Sequence, residues 1–124
     1  MSVTTQLGDK TLERKRYCLT LDLKDDPALI KEYKQLHQAG SIWPEIPAGM
    51  KEVGILSMEI YLLGARLFMI IETAFDFNFE EQMSKLSALP RQKEWEEFTW
   101  KFQSPLSDIG SGKKWMLMEK IFGL

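Results

Sequence analysis

The stretch Arg16-Tyr17-Cys18-Leu19-Thr20-Leu21-Asp22-Leu23, followed at once by Lys24-Asp25-Asp26-Pro27, decides how this chain folds. Tyr17, Leu19, Leu21 and Leu23 alternate with Arg16, Cys18, Thr20 and Asp22. That two-residue period predicts a strand with one buried face. Asp26 suits an N-cap, because its short carboxylate can accept from the free N–H groups of a first turn. Pro27 suits the first helical position, where no N–H is needed. Leu29, Ile30, Tyr33, Leu36 and His37 recur at helical spacing, and Gly40 supplies a stop.

Outward from there, Trp43-Pro44-Glu45 opens a second, shorter helical stretch through about Val53, ended by Gly54. Pro47 must lie in its first turn, since a later position would break it. Ile55 to Leu62 and Arg66 to Thr73 are rich in β-formers and meet across Leu63-Gly64-Ala65 as a hairpin. In the first of these strands Leu56, Met58 and Ile60 point one way, and Ser57, Glu59 and Tyr61 the other. A third helix begins near Asn78, with Phe79, Met83 and Leu86 on one face. Pro90 separates it from a helical segment, Arg91 to Phe102, with a stripe of Trp95, Phe98 and Phe102. Ser104 to Gly112 reads as a loop, and Trp115 to Phe122 as a closing strand.

The sum is β-α-β-β-α-β with each helical crossover split in two. This is the order of the ferredoxin-like α+β sandwich, an antiparallel sheet with helices on one face. The strands carry enough apolar and aromatic residues on the other face to call for a second copy, so a homodimer is expected. Residues 14–124 are expected to form one domain and residues 1–13 a flexible N-terminal tail.

Composition removes whole classes of function. With 44% hydrophobic and 27% charged residues, the chain has the make-up of a globular domain and not of a disordered one. A net charge of -2 gives no electrostatic reason to bind nucleic acid or an anionic membrane surface. Arg14-Lys15-Arg16 reads as a solvated strand flank. No segment is apolar for long enough to span a membrane, the N-terminus lacks the run of a signal peptide, and a cytoplasmic location is expected. The single cysteine, Cys18, excludes an internal disulfide and a thiolate zinc site within one chain.

Motifs for phosphate loops and dinucleotides are missing, and Gly110-Ser111-Gly112-Lys113 reads as a turn. One histidine and one cysteine make no transition-metal cluster, and Asp25-Asp26 is better explained as a cap than as a cation site. No metal and no cofactor are expected. The chemistry that remains centres on His37, the chain's one histidine, four residues after Tyr33. On one helix the two share a face. Two readings of His37 stand side by side on the residues alone. It is a helix residue that fills space and bonds to backbone, or it is a group that gives and takes protons near neutrality. Tyr33, Trp95 and Trp43 divide in the same way between core aromatics and pocket walls.

The segment Glu32-Tyr33-Lys34-Gln35-Leu36-His37, then Ile42-Trp43-Pro44-Glu45, resembles the signature of the L-rhamnose mutarotase family. The likeness continues through Lys51-Glu52-Val53-Gly54, Ile60-Tyr61-Leu62, the tryptophan at Trp95 and the closing Glu119-Lys120-Ile121-Phe122. It covers nearly all of the chain from Arg16 onward. The resemblance implies a dimeric α/β-barrel type of ferredoxin-like fold that interconverts the α and β anomers of L-rhamnose or a related 6-deoxyhexose. It implies His37 as the proton donor, Tyr33 as a sugar contact and Trp95 as part of the same pocket. The chain departs from the family pattern at Met58, where a tyrosine is common, and at Glu96, where a second tryptophan follows the first. The spacer Gln38-Ala39-Gly40-Ser41 is also longer. These departures alter the pocket wall and leave the acid–base residue in place, so Met58 and Glu96 join Tyr33, Trp95 and Trp43 as candidate substrate-binding residues.

The residue types fit that chemistry. Mutarotation opens a pyranose ring and recloses it on the opposite face of the anomeric carbon. A proton must reach the ring oxygen while the anomeric hydroxyl loses one, and imidazole, with a pKa near working pH, suits the transfer. Tryptophan and tyrosine offer flat faces to the C–H side of a 6-deoxy sugar, while the phenol, Glu96 or Glu45 can bond its hydroxyls. Two other functions use the same architecture: a cofactor-free monooxygenase or isomerase, and a sugar-binding module without catalysis.

Overall fold

In the computed structural model the described residues are 13–105 and 114–124. The expected tail (apart from Glu13) and the turn at residues 110–113 lie outside them. Strand β1, Arg14–Leu23, is the centre of the sheet. Its inner-facing Leu19, Leu21 and Leu23 are buried, as the alternation predicts.

Helix α1, Pro27–Leu36, starts as its sequence dictates: Asp26 Oδ1 accepts from the N–H of Ala28 at 2.9 Å and of Leu29 at 3.3 Å, with Pro27 leading the first turn. The helix ends at Leu36, and Gly40 takes a left-handed φ of +85° in the turn beyond. Helix α2, Glu45–Glu52, holds Pro47 in its first turn, and Gly54 (φ +102°) turns the chain into β2.

Strands β2, Ile55–Leu63, and β3, Arg66–Ala74, pair antiparallel with Leu63 opposite Arg66, leaving Gly64-Ala65 as a two-residue turn. Gly64 has φ +61° at the first turn position, the left-handed conformation that glycine adopts without steric cost. The reading of Leu56 needs correction. A β-bulge between Ile55 and Ser57 resets the alternation, so Ile55 is buried and Leu56 stands out, 51% exposed. An extra residue in one strand shifts every side chain before it to the opposite face.

Helix α3, Phe79–Ser87, is capped by Asn78 Oδ1 accepting from the N–H of Glu81 at 2.9 Å. Helix α4 is Gln92–Thr99, and a single 3₁₀ turn, Trp100–Phe102, tightens its end. Arg91, read as helical, instead takes a left-handed φ of 69° that redirects the chain after Pro90.

The largest difference from the sequence reading is at the fourth strand. Gln103–Ser104, read as the border of helix and loop, forms a short β4 opposite Leu23 and Asp22. The expected strand Trp115–Phe122 contributes only Met116–Leu117, β5, opposite Thr20 and Leu19. Trp115 packs inward, and from Met118 onward the closing segment is exposed, with Ile121 at 88% and Phe122 at 76%. Alternation alone marks a strand, but among the described residues the segment finds no backbone partner beyond Met118, whose N–H donates to the Cys18 carbonyl.

The sheet order is β2-β3-β1-β4, with β5 beside β4 on the same edge of β1. The fold is the mixed α+β one expected, a curled antiparallel sheet with helices. Between sheet and helices lie two apolar clusters. One gathers Leu19, Val53, Ile55, Met69, Ile71, Phe77 and Leu86; the other gathers Leu23, Tyr33, Leu67 and Phe102. Ile60 and Trp115 pack against both. Among the described residues no helix is long and apolar enough to cross a membrane.

Candidate active site

Two helices bring the candidate residues together from opposite ends of the chain. Tyr33 on α1 and His37, the residue that caps its C-terminus, bring their rings to 4.4 Å at a tilt of 40°, neighbours one turn apart. Tyr33 is buried, 5% exposed, and its ring meets Phe102 edge-on at 5.6 Å. From α4, Trp95 stands edge-on to His37 at 5.7 Å. Trp43, in the link ahead of α2, lies 5.2 Å from Trp95 and stacks on Phe98 at 5.5 Å, with the Arg91 guanidinium 4.3 Å over its ring. Tyr33, His37, Trp43 and Trp95 therefore form one continuous aromatic cluster.

The position of His37 fixes its chemistry. Nδ1 lies 2.9 Å from the Tyr33 carbonyl oxygen, one turn back. A carbonyl only accepts, so the proton of the neutral ring sits on Nδ1, and Nε2 keeps its lone pair. Burial holds the imidazole below its ordinary range, and the bond to the Tyr33 carbonyl pulls the other way. The resting ring is thus a neutral base. Burial also pushes the Tyr33 phenol up to about 12, opposed by the side chain of Gln103 and aided by the charge of Glu96, so Tyr33 stays protonated at neutral pH.

Glu96 follows Trp95 on α4 and is held from two sides. Its Oε2 accepts from Gln92 Nε2 at 2.8 Å and its Oε1 pairs with Lys114 Nζ at 3.0 Å. Lys114, 8% exposed, also donates to the Glu96 carbonyl at 2.7 Å and to Thr99 Oγ1 at 3.0 Å. Burial lowers its pKa, and Glu96 opposes the shift. Met58 packs against the other apolar cluster, beside Ile60.

Sequence reasoning missed Gln103, Lys114 and Gln92. Gln103 is buried on β4, and its Oε1 has no hydrogen-bond partner among the described residues. A two-residue strand leaves no period to read, and nothing in the pair Lys113-Lys114 marks the second as buried. Among the described residues, no group of His, Cys, Asp and Glu side chains could hold a metal ion.

The L-rhamnose mutarotase family model matches residues 16–124. Over 113 residues, 91% of this chain and 90% of its relative, the chain is 34% identical to the L-fucose mutarotase of Xanthomonas campestris pv. campestris. It is 37% identical over 114 residues to a protein of Dictyostelium discoideum, covering 89% of this chain and 90% of that one. In fold it is similar to the L-rhamnose mutarotase of Formosa agariphila (TM-score 0.65, 18% identity, 89% of this chain and 98% of that one). It is also similar in fold to the tetracenomycin F2 cyclase of Streptomyces glaucescens, a type-II polyketide cyclase (TM-score 0.56, 16% identity, 89% and 96%).

Proposed function

The chain belongs to the L-rhamnose mutarotase family, and from that premise we propose that it interconverts the α and β anomers of L-rhamnose or a related 6-deoxyhexose through His37. As a mutarotase it is a carbohydrate isomerase. The observation that carries the assignment to His37 is the bond of Nδ1 to the Tyr33 carbonyl, 2.9 Å long. It presents Nε2 as the ring's free base, beside a neutral phenol and the edge of Trp95. Nε2 takes the proton of the anomeric hydroxyl as the bond from the anomeric carbon to the ring oxygen breaks, and the imidazolium so formed returns that proton to the ring oxygen; the same atom runs the sequence in reverse when the ring recloses on the other face. Trp95 offers an apolar wall to the sugar's C–H side, backed by Trp43, whose own ring is covered by Phe98 and the Arg91 guanidinium, and Tyr33 and Glu96 offer polar atoms to its hydroxyls.

The test is anomer exchange followed by saturation-transfer NMR on L-rhamnose, L-fucose and their relatives. His37→Ala should lose the catalysed rate, about 10²-fold or more, while its circular dichroism stays that of the wild type. Undiminished exchange in that variant would refute the role of His37.

We also infer a homodimer. Its support is the sheet face turned away from the helices, where Cys18, Phe68 and Ile70 are only partly buried, and the exposed Leu117, Met118, Ile121, Phe122 and Leu124 of the closing segment. Large apolar side chains left exposed in this number are costly on a monomer. Light scattering at micromolar concentration should give twice the mass of one chain, and the mass of a single chain would overturn the inference.

A further inference from the structure

Gln103 is the residue whose burial the fold leaves unexplained. It lies opposite Leu23 in the β1–β4 pair. Residues directly opposite across an antiparallel pair share a face. Leu23 packs in the cluster with Tyr33 and Phe102, so the Gln103 side chain enters the same layer, beneath α1. There the carboxamide acts on the Tyr33 phenol, and only 4% of Gln103 is exposed. Its Oε1 is the one buried side-chain oxygen or nitrogen without a partner among the described residues. Leaving a buried amide oxygen unbonded is destabilising, and a leucine or methionine would fill the volume without that cost.

A lone amide oxygen accepts, so what it fits is a hydrogen-bond donor and not an anion; on the mutarotase reading that donor is a sugar hydroxyl. Its neighbour Tyr33 carries the ring that lies against His37 at 4.4 Å. A hydroxyl bonded to Gln103 thus belongs to a molecule lying within reach of the proposed acid–base group.

We propose that Gln103 is a specificity-determining residue whose buried Oε1 accepts a hydrogen bond from a non-anomeric ring hydroxyl of the hexose bound against Tyr33 and His37. The inference rests on the mutarotase reading for its substrate class. It assigns Gln103 to recognition and leaves proton transfer to His37. An acceptor committed to one hydroxyl rejects a sugar that lacks it.

The experiment compares wild type with Gln103→Leu and Gln103→Met on the parent 6-deoxyhexose and its 2-, 3- and 4-deoxy analogues. Exchange is read by NMR above the uncatalysed rate, and Kd by tryptophan fluorescence titration. The parent sugar should lose about 10–100-fold in kcat/KM and in affinity on substitution, while the melting temperature holds or rises. Wild type should reject one of the three analogues by a similar factor, and the variants should no longer reject it. Variants within twofold of wild type would overturn the proposal. So would a loss that leaves the ranking of analogues unchanged, or a failure of both variants to fold, since each assigns the amide to structure alone. A wild type that binds these sugars without speeding exchange would sink the mutarotase reading and leave the Kd comparison to judge Gln103. A wild type that binds none overturns both.

Discussion

Lys114 donates to the backbone carbonyl of Glu96 at 2.7 Å while pairing with the carboxylate of the same residue at 3.0 Å. One ammonium therefore closes the last turn of α4, where carbonyls lack helical partners, and holds the side chain that follows Trp95.

Lys114→Met should lower stability by about 1–3 kcal/mol, because Thr99 Oγ1 loses its donor in a buried setting and the Glu96 carbonyl keeps only Thr99 Oγ1, at 3.2 Å. Glu96→Gln should cost less, since the carboxylate is 44% exposed and water replaces the lost partner. Urea denaturation checks both: the midpoint should fall with the slope unchanged.

The lowered pKa of His37 makes a signed prediction about stability. Unfolded, the ring titrates near 6.5; folded, burial holds it lower. As pH falls through that window the unfolded chain takes up a proton that the folded chain resists, so stability falls with pH. The penalty is complete below the folded pKa and absent well above the unfolded one. Thermal melts of wild type and His37→Asn between about pH 8 and about pH 4 should show the wild type losing ground to the variant on the acid side. A constant difference across the range would contradict the shift.

The same shift governs rate. Exchange should depend on one group in the free enzyme and hold constant to a lower pH than an ordinary histidine allows, then fall with unit slope. A kcat/KM profile against pH reads this directly.

Tyr33→Phe removes the phenol and keeps the ring that meets His37 and Phe102. We expect kcat/KM to fall by about tenfold through one lost hydrogen bond, and stability to fall by about 1–3 kcal/mol because the buried Gln103 carboxamide loses the phenol. Sugar titrations and melts of the variant decide it.

What was legible in the sequence was whatever repeats or caps. Asp26 and Pro27 announced α1, the alternation of β1 announced its buried face, and four-residue spacing put Tyr33 with His37. What was not legible depends on partners far along the chain. The bulge that turns Leu56 outward arises from pairing with β3, and a two-residue strand such as Gln103–Ser104 exists only because β1 has an edge to offer. The contact of Trp43 with Trp95 and the burial of Lys114 against α4 are likewise products of packing, with no local signal. The family pattern singles out Met58, but a strand position alone does not say which of two adjoining clusters a side chain joins.

The edge-on contact of Trp95 with His37 has an optical consequence. An imidazolium draws an electron from an excited indole far more readily than a neutral imidazole does. The emission of Trp95 is therefore tied to whether the neighbouring ring is charged, and the protein carries its own indicator dye beside the atom proposed to move protons, readable before any sugar is added.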